Sequence, residues 1–478
     1  MLNSIIDIIF IPEIFLASTS FICLLFGLYT NKNSFRQTCN FAFLILLLTT
    51  VLVYFNTGSN FANYDILFSK SSFINFFKIL VLVGSAASII ISKEYFLGIK
   101  LINFEIPILL LFSTLGMMLM ISANNLMSMY LAIELQSLSL YVAAAIKRDS
   151  LSSAESGVKY FILGALSSGI LLYGFSLIYG FTGSMNFNEI NSYLLRYENL
   201  NLGLIFGLVF VMVGLAFKVS AVPFHMWTPD VYEGAPNSIT AFFAIVPKIS
   251  AVALIYRFCL VPFENFYLEW SQIVIFLSVA SMFLGAIAAI AQSNIKRLLA
   301  YSSIGHIGYI LIALVAANDD GVKASSIYMF SYMVMNIAIF AILLSIKVKN
   351  EYLVNISDLK GLSKSNPIVS LSISIIMLSM AGIPPFIGFF GKFYVFIAAI
   401  ENELYVLSIL GVLASVISAY YYLRIIKIMY FDEKNNEEQL IFKISFQSKV
   451  ILSLSLFIII CFIFYPSLLI NISASLII

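Results

Sequence analysis

The chain is 478 residues long, 61% hydrophobic and only 10% charged, with a mean hydropathy of +1.01 and a net charge of +2. Soluble domains are about 45–50% apolar and about 25% charged, so a water-facing exterior is excluded and lipid is the solvent that fits; near-neutrality excludes the basic footprint of a nucleic-acid binder. The four cysteines, Cys23, Cys39, Cys259 and Cys461, form no CxxC and are joined by only two histidines, which leaves no ligand set for zinc, haem or an iron–sulfur cluster.

In chain order, residues 1–29 show no cleavable signal, because Asp7 and Glu13 replace a basic n-region. A span needs roughly 20 apolar residues. Fourteen segments qualify, starting near Phe10, Thr38, Phe73, Asn103, Asn125, Gly157, Leu202, Asn237, Ser271, Leu298, Ala324, Ile368, Leu404 and Val450. The predicted fold class is therefore an all-α integral membrane protein of about fourteen transmembrane helices. The polar stretches Lys347–Asn366 and Asp432–Lys449 read as surface loops. Connections after odd-numbered spans hold seventeen Lys and Arg, among them Lys32, Lys147, Lys296, Arg297, Lys349 and Lys434. Those after even-numbered spans hold four: Lys70, Arg196, Arg257 and Lys323. The positive-inside rule then predicts both termini on the outer, positive side.

Five basic residues fall inside spans: Lys78, Lys159, Lys218, Lys248 and Lys392. A charge at the bilayer centre costs about 2.5–3.5 kcal/mol on insertion scales, so depth decides which of them need explaining. Lys78 is about one turn from a span end and reads as snorkelling to the headgroups, and Glu13 and Glu105 read as interfacial. Lys159 either snorkels or pairs with Glu155 one turn earlier. Glu134 lies roughly 14 Å into its span at helical rise, and Lys248 and His306 are equally central. The bland reading of Glu134, Lys218, Lys248 and Lys392 is a set of ion pairs pinning helices together; for His306 it is a hydrogen-bonded core residue. The proton-relay reading gains from the excess of lysines over acids at depth. Desolvation lowers a lysine's proton affinity and a nearby carboxylate raises it, so moving the partner can switch the charge.

The seventh span carries Pro223 five residues after Lys218, and the twelfth carries Pro384 and Pro385 before Lys392. Proline removes an amide donor and clashes with the preceding turn, so both helices are predicted to break. Lys218 sits beside a mid-membrane break if the span continues past Pro223, and near the inner face if the span ends at Val222. The two breaks are five spans apart. Spans 4–8 and 9–13 thus form two units with a broken, lysine-bearing helix fourth in each, and an odd repeat length inverts the second unit, as in ion-coupled transporters. The segmentation is 1–102, a three-helix segment; 103–260 and 261–430, the two five-helix repeats; and 431–478, a polar loop and final helix.

The segments AFKVSAVPFHMWTPDVYEGAP, YLAIELQSLSLY, VKYFILGALSSG, VPKIS, KRLLAYSSIGHIGY and AGIPPFIGFFGKF resemble NADH–quinone oxidoreductase subunit N, an antiporter-like membrane subunit of respiratory complex I whose mitochondrial counterpart is NADH dehydrogenase subunit 2. The resemblance runs over nearly the whole chain. It implies that Glu134 pairs with and tunes Lys218, that Lys248 is a central relay lysine and Lys392 a distal one, and that His306 and Lys159 line a hydrated axis. Lysine at 392 favours the subunit N type over subunit M, and the missing C-terminal extension argues against subunit L. No cofactor is implied in this chain; FMN, iron–sulfur clusters and quinone are expected in partner subunits. The implied partners are other membrane-arm subunits, including neighbouring antiporter-like ones, and lipid, with no nucleic acid. The implied location is a mitochondrial inner or bacterial cytoplasmic membrane. Two competing readings remain: a cation/proton antiporter subunit without redox coupling, and a structural subunit without its own proton path.

Overall fold

A computed structural model describes residues 10–30, 34–56, 67–196, 201–348, 351–433 and 440–476. Asp7, Lys32, Lys349 and Lys434, used above, lie outside the described residues. The helices are α1 (Ile11–Tyr29), α2 (Ser34–Phe55), α3 (Ser72–Gly98), α4 (Glu105–Ser122), α5 (Leu126–Ala144), α6 (Leu151–Thr182), α7 (Phe187–Leu194), α8 (Leu202–Val219), α9 (Trp227–Gly234), α10 (Asn237–Ile245), α11 (Pro247–Leu260), α12 (Tyr267–Ile290), α13 (Ile295–Val315), α14 (Asp319–Leu343), α15 (Leu362–Ser365), α16 (Pro367–Ala381), α17 (Ile387–Glu401), α18 (Tyr405–Tyr430), α19 (Phe446–Cys461) and α20 (Ser467–Ala474).

Among the described residues thirteen helical segments are long and apolar enough to cross a membrane, with α10 and α11 counted as one. The half-helices α16 and α17 together make the fourteenth, as the proline pair predicts. Polar side chains start these helices by accepting from free amides of the first turn: Ser71 from Ile74, Asn125 from Met127, Asn294 from Lys296 and Arg297, Asn318 from Gly321. The two polar stretches read as separate loops are tied together. Strands β1 (Ile346–Val348), β2 (Glu351–Tyr352) and β3 (Leu440–Phe442) form a small antiparallel sheet in the order β2-β1-β3, with Lys347 opposite Ile441. This sheet marks the basic end of the bundle, which also holds residues 145–150 and 291–294; residues 123–125, 261–266 and 402–404 lie at the opposite end.

The inverted repeat is exact in hydrogen bonding where it is faint in sequence. Leu126 N donates to Met185 O, and Ile295 N to Val354 O; Phe187 N donates to Asn124 O, and Ile356 N to Ser293 O. Each residue of the first pair lies 169 positions before its counterpart in the second. The bridges Asn125↔Asn186 and Asn294↔Asn355 keep the same offset. So does helix packing. A Cβ on Gly116 of α4 would meet Gln136 N of α5 at 2.6 Å, and one on Gly285 of α12 would meet Gly305 N of α13 at 2.7 Å. Glycine is required at both contacts because the helix backbones touch.

Lys78 does not snorkel. It is buried in an ion pair with Glu13, Nζ to Oε1 2.6 Å, with side chains only 7% and 3% exposed, so α1 and α3 are joined by charge inside the bundle. Among the described residues neither Glu13 carboxylate oxygen has a hydrogen-bond partner beyond the ion pair. Removing one member of a buried pair costs about 3–5 kcal/mol because the other charge stays uncompensated. Glu13→Gln is therefore expected to lower the unfolding temperature of the assembled protein by several degrees; an unchanged melting curve would remove the pair from the list of stabilising contacts.

Candidate functional site

The seventh span continues past Pro223, so Lys218 stands beside a break inside the bundle. Helix α8 ends at Val219, and Ser220 takes a left-handed conformation (φ 66°). Backbone freed at membrane depth must be satisfied by protein or water, and here neighbouring side chains do it: Val222 N donates to Ser281 Oγ (2.9 Å) and Trp227 Nε1 to Phe217 O (3.0 Å). Lys218 Nζ donates to Ser137 Oγ at 2.7 Å. Glu134 sits one turn before Ser137 on α5, its buried Oε1 without a hydrogen-bond partner among the described residues. No contact ion pair forms between Glu134 and Lys218; the lysine bonds instead to the serine one turn further along α5.

A second break, not anticipated above, separates α10 from α11 at Val246. Pro247 opens α11 without an amide donor, and Lys248 follows it, 1% exposed. Its Nζ donates to Ser303 Oγ on α13. One turn further, His306 Nδ1 meets Tyr328 Oη of α14 at 2.7 Å and Nε2 meets Tyr422 Oη of α18 at 3.1 Å. Tyr422 Oη is in turn 2.5 Å from Ser302 Oγ.

The third break follows α16, where Gly382 is left-handed (φ 84°) and a Cβ there would lie 2.8 Å from Lys392 Cδ. Lys392 Nζ donates to the freed carbonyl of Ala381 and to Ser415 Oγ, both at 2.9 Å, and lies 4.8 Å from the Tyr309 ring centroid. Ser302, His306, Tyr309, Lys392 and Tyr422 line a cavity of ≈ 10 Å³, about the least that accommodates a water. Hydroxyls both donate and accept, whereas a charged lysine only donates. Three lysines bonded to hydroxyls across helix breaks are thus joined to groups that can pass a proton on.

Three of the expected site residues, Lys248, His306 and Lys392, are buried around α13, while half-buried Lys218 stands with Glu134 where α8 meets α5. Among the described residues no direct hydrogen bond joins the Lys218 group to the Lys248 group. Lys159 lies apart, 42% exposed near the basic end, bonded to Glu155 (2.8 Å) and Asp230 (2.9 Å). Asp230 also holds Arg297 (2.8 Å), which binds Glu233 (2.8 Å). Lys296, counted with the connections, is buried in the first turn of α13 and donates to Ala235 O at 2.8 Å. The hydroxyls of Ser137, Ser303, Ser415, Tyr328 and Tyr422 were missed, since serine and tyrosine are common in apolar helices; only SSIGH, which places Ser303 one turn before a central histidine, carried a signal. Among the described residues no group of three or more His, Cys, Asp or Glu could hold a metal ion.

Residues 123–418 match the family model described as NADH:quinone oxidoreductase/Mrp antiporter, TM. The chain is 50% identical over 423 residues to NADH-quinone oxidoreductase subunit N of Parvibaculum lavamentivorans, covering 88% of this chain and 87% of the relative. It is 49% identical over 464 residues to subunit N of Bartonella bacilliformis, covering 96% and 94%. Among solved structures, a chain of respiratory complex I from Thermus thermophilus with bound aureothin superposes with a TM-score of 0.81 at 29% identity, covering 97% of this chain and all of that one. Fold, breaks and relatives agree, and the chain belongs to the subunit N family of NADH-quinone oxidoreductase, within the antiporter-like membrane subunits.

Proposed function

We propose that this chain carries protons across an energy-coupling membrane as a membrane-arm subunit of complex I, in contact with other antiporter-like subunits. The observation that carries the reading is the placement of Lys218, Lys248 and Lys392. Each lies at a helix break, each donates to a hydroxyl of a neighbouring helix, and among the described residues none has a carboxylate within ion-pair distance. Quinone reduction in partner subunits, which hold the FMN, iron–sulfur clusters and quinone, changes the field at Glu134. Lys218 then changes its proton affinity, and a proton moves by way of Lys248, Ser303 and His306 to Lys392. Residues 103–260 and 261–430 serve as the two half-units. Bacterial relatives favour a bacterial cytoplasmic membrane, with both termini on the positive side.

The test is the intact complex in sealed vesicles. NADH should drive lumenal acidification without sodium. Cation flux that requires sodium and proceeds without NADH or quinone would replace this reading with antiport. Around α13, Tyr422→Phe removes the hydroxyl shared by His306 and Ser302 while keeping the ring. It is expected to slow coupled turnover about tenfold, the cost of roughly one lost hydrogen bond in the path, with uncoupled NADH oxidation retained. Wild-type coupled rates in that variant would take Tyr422 out of the path.

A further inference from the structure

The relay leaves one cluster of charges unused. Helix α9 is only eight residues long and follows the unwound stretch 220–226, so packing, and not its own hydrogen bonds, decides where it lies. Five polar contacts hold its second half and the corner after it. Lys159 of α6 binds Asp230 at 2.9 Å. The other four come from the start of α13. Arg297 Nη1 donates to Asp230 Oδ1 and to Glu233 Oε2, both at 2.8 Å, Asn294 Nδ2 to Glu233 Oε1 at 3.2 Å, and Lys296 Nζ to Ala235 O at 2.8 Å.

Asp230 and Glu233 are three residues apart and share one face of α9. Tyr232 lies off that face and is fully buried, its ring centroid 5.7 Å from Lys248 Nζ. Lys248 in turn donates to Ser303 Oγ of α13. The amine therefore has one neighbour on α9 and one on α13, and Arg297 ties those two helices together. Repeat symmetry does not call for this cation. The counterparts of Lys296 and Arg297, 169 positions earlier, are Met127 and Ser128, and Ser128 Oγ donates to Leu67 O at 2.8 Å. A helix start at this place in the fold manages with a neutral hydroxyl, so the charges at 296 and 297 answer to something particular to the Lys248 side.

We propose, on the relay role given to Lys248, that Arg297 is a positioning residue: its bridge to Asp230 and Glu233 sets α9 against α13 and thereby fixes the Tyr232 ring and Ser303 Oγ around the Lys248 amine. The Lys159, Asp230, Arg297 and Glu233 side chains are 32–42% exposed, and pairs this wet add little to stability, so the bridge matters through geometry. A displacement of about 1 Å at a reacting group can cost about 100-fold in rate. One nitrogen, Nη1, makes both bonds, so the planar fork is not required here. A lysine ammonium, with three donors, can bridge the same two carboxylates.

The intact complex in sealed vesicles provides the test, with Lys248→Gln measured alongside. Arg297→Gln should assemble in normal yield and keep uncoupled NADH oxidation and the KM for quinone, while coupled proton transfer slows about tenfold, a loss within reach of a sub-ångström shift. Arg297→Lys should restore it. Wild-type coupled rates in Arg297→Gln, with Lys248→Gln impaired, overturn the positioning role alone; normal pumping by both overturns the relay and the positioning role with it. A low yield of Arg297→Gln complex that pumps normally per assembled complex overturns it as well, as does an Arg297→Lys variant no faster than Arg297→Gln. Should Arg297→Gln fail to assemble, Glu233→Gln, which removes one of the two bonds, decides on the same readouts: coupled transfer about threefold slower, half the tenfold loss on a logarithmic scale, supports the bridge, and wild-type rates overturn it.

Discussion

Complex carrying Lys218→Ala is expected to assemble and to oxidise NADH when uncoupled, yet to lose proton transfer through this chain by about 100-fold. Moving one charge against 100 mV costs about 2.3 kcal/mol, close to the roughly 2.7 kcal/mol carried by a two-unit change in proton affinity, and that energy corresponds to about two decades in rate. On the proposed reading the switch sits at Lys218. Among the described residues Ser137 Oγ is the one hydrogen-bond acceptor of Lys218 Nζ, and Glu134 stands one turn before that serine on α5. A small rotation can exchange serine for carboxylate as the partner of the amine, with a large change in field. Lys218→Arg separates relay from scaffold. Arginine keeps the charge and the donors but does not give up its proton, so it should be as inactive as alanine if the group must titrate. Recovery of pumping by the arginine variant, or a normal proton-to-electron ratio in the alanine variant of an assembled complex, would show that only fixed charge is needed here. The two measurements are the ratio in sealed vesicles and the native-gel yield of complex.

Much of this site was legible because lipid penalises charge so heavily that Lys218, Lys248 and Lys392 stand out without any structure, and because proline marks two of the breaks. The number of spans and the inverted order of the units followed from apolar length and from the five-span spacing of those prolines. Depth along a helix is a one-dimensional quantity and can be counted. Partners cannot. The family resemblance implied a Glu134–Lys218 pair, whereas Lys218 bonds to Ser137 Oγ, one turn along α5 from Glu134. Lys78 was taken as interfacial because it is near a span end; the packing of α1 over α3 buries it against Glu13. Pro247 was visible in VPKIS, yet a proline at the first position of a helix is ordinary, so nothing marked it as a break. The 169-residue register was hidden for a different reason. It is held mainly by backbone bonds and by a few Asn and Gly residues, which leave little imprint on composition.

Arg257 shows what a buried charge looks like when its task is structural, and Arg257→Ala is expected to abolish stable assembly. The guanidinium is 2% exposed and makes four hydrogen bonds, two of them to the carbonyls of Ile121 and Ala123 at the end of α4. Those carbonyls have no amide ahead of them, because the helix stops there. The side chain therefore ties α11 to the α4–α5 corner and to the strap before α3. Alanine would orphan several buried acceptors at about 1–3 kcal/mol each and leave a cavity besides, a loss comparable with the whole margin of stability of many domains. Lysine offers one donor point instead of a planar fork and should rescue only partly. Counted as a connection residue by the positive-inside reading, Arg257 in fact serves two backbone carbonyls and two side-chain oxygens, whereas Lys218 serves a serine hydroxyl that can rotate. The two substitutions should accordingly fail in opposite ways. Any small amount of complex assembled with Arg257→Ala should pump with a normal proton-to-electron ratio, and Lys218→Ala complex should be abundant and uncoupled. A thermally stable Arg257→Ala complex with impaired pumping would move this arginine into the conduction path.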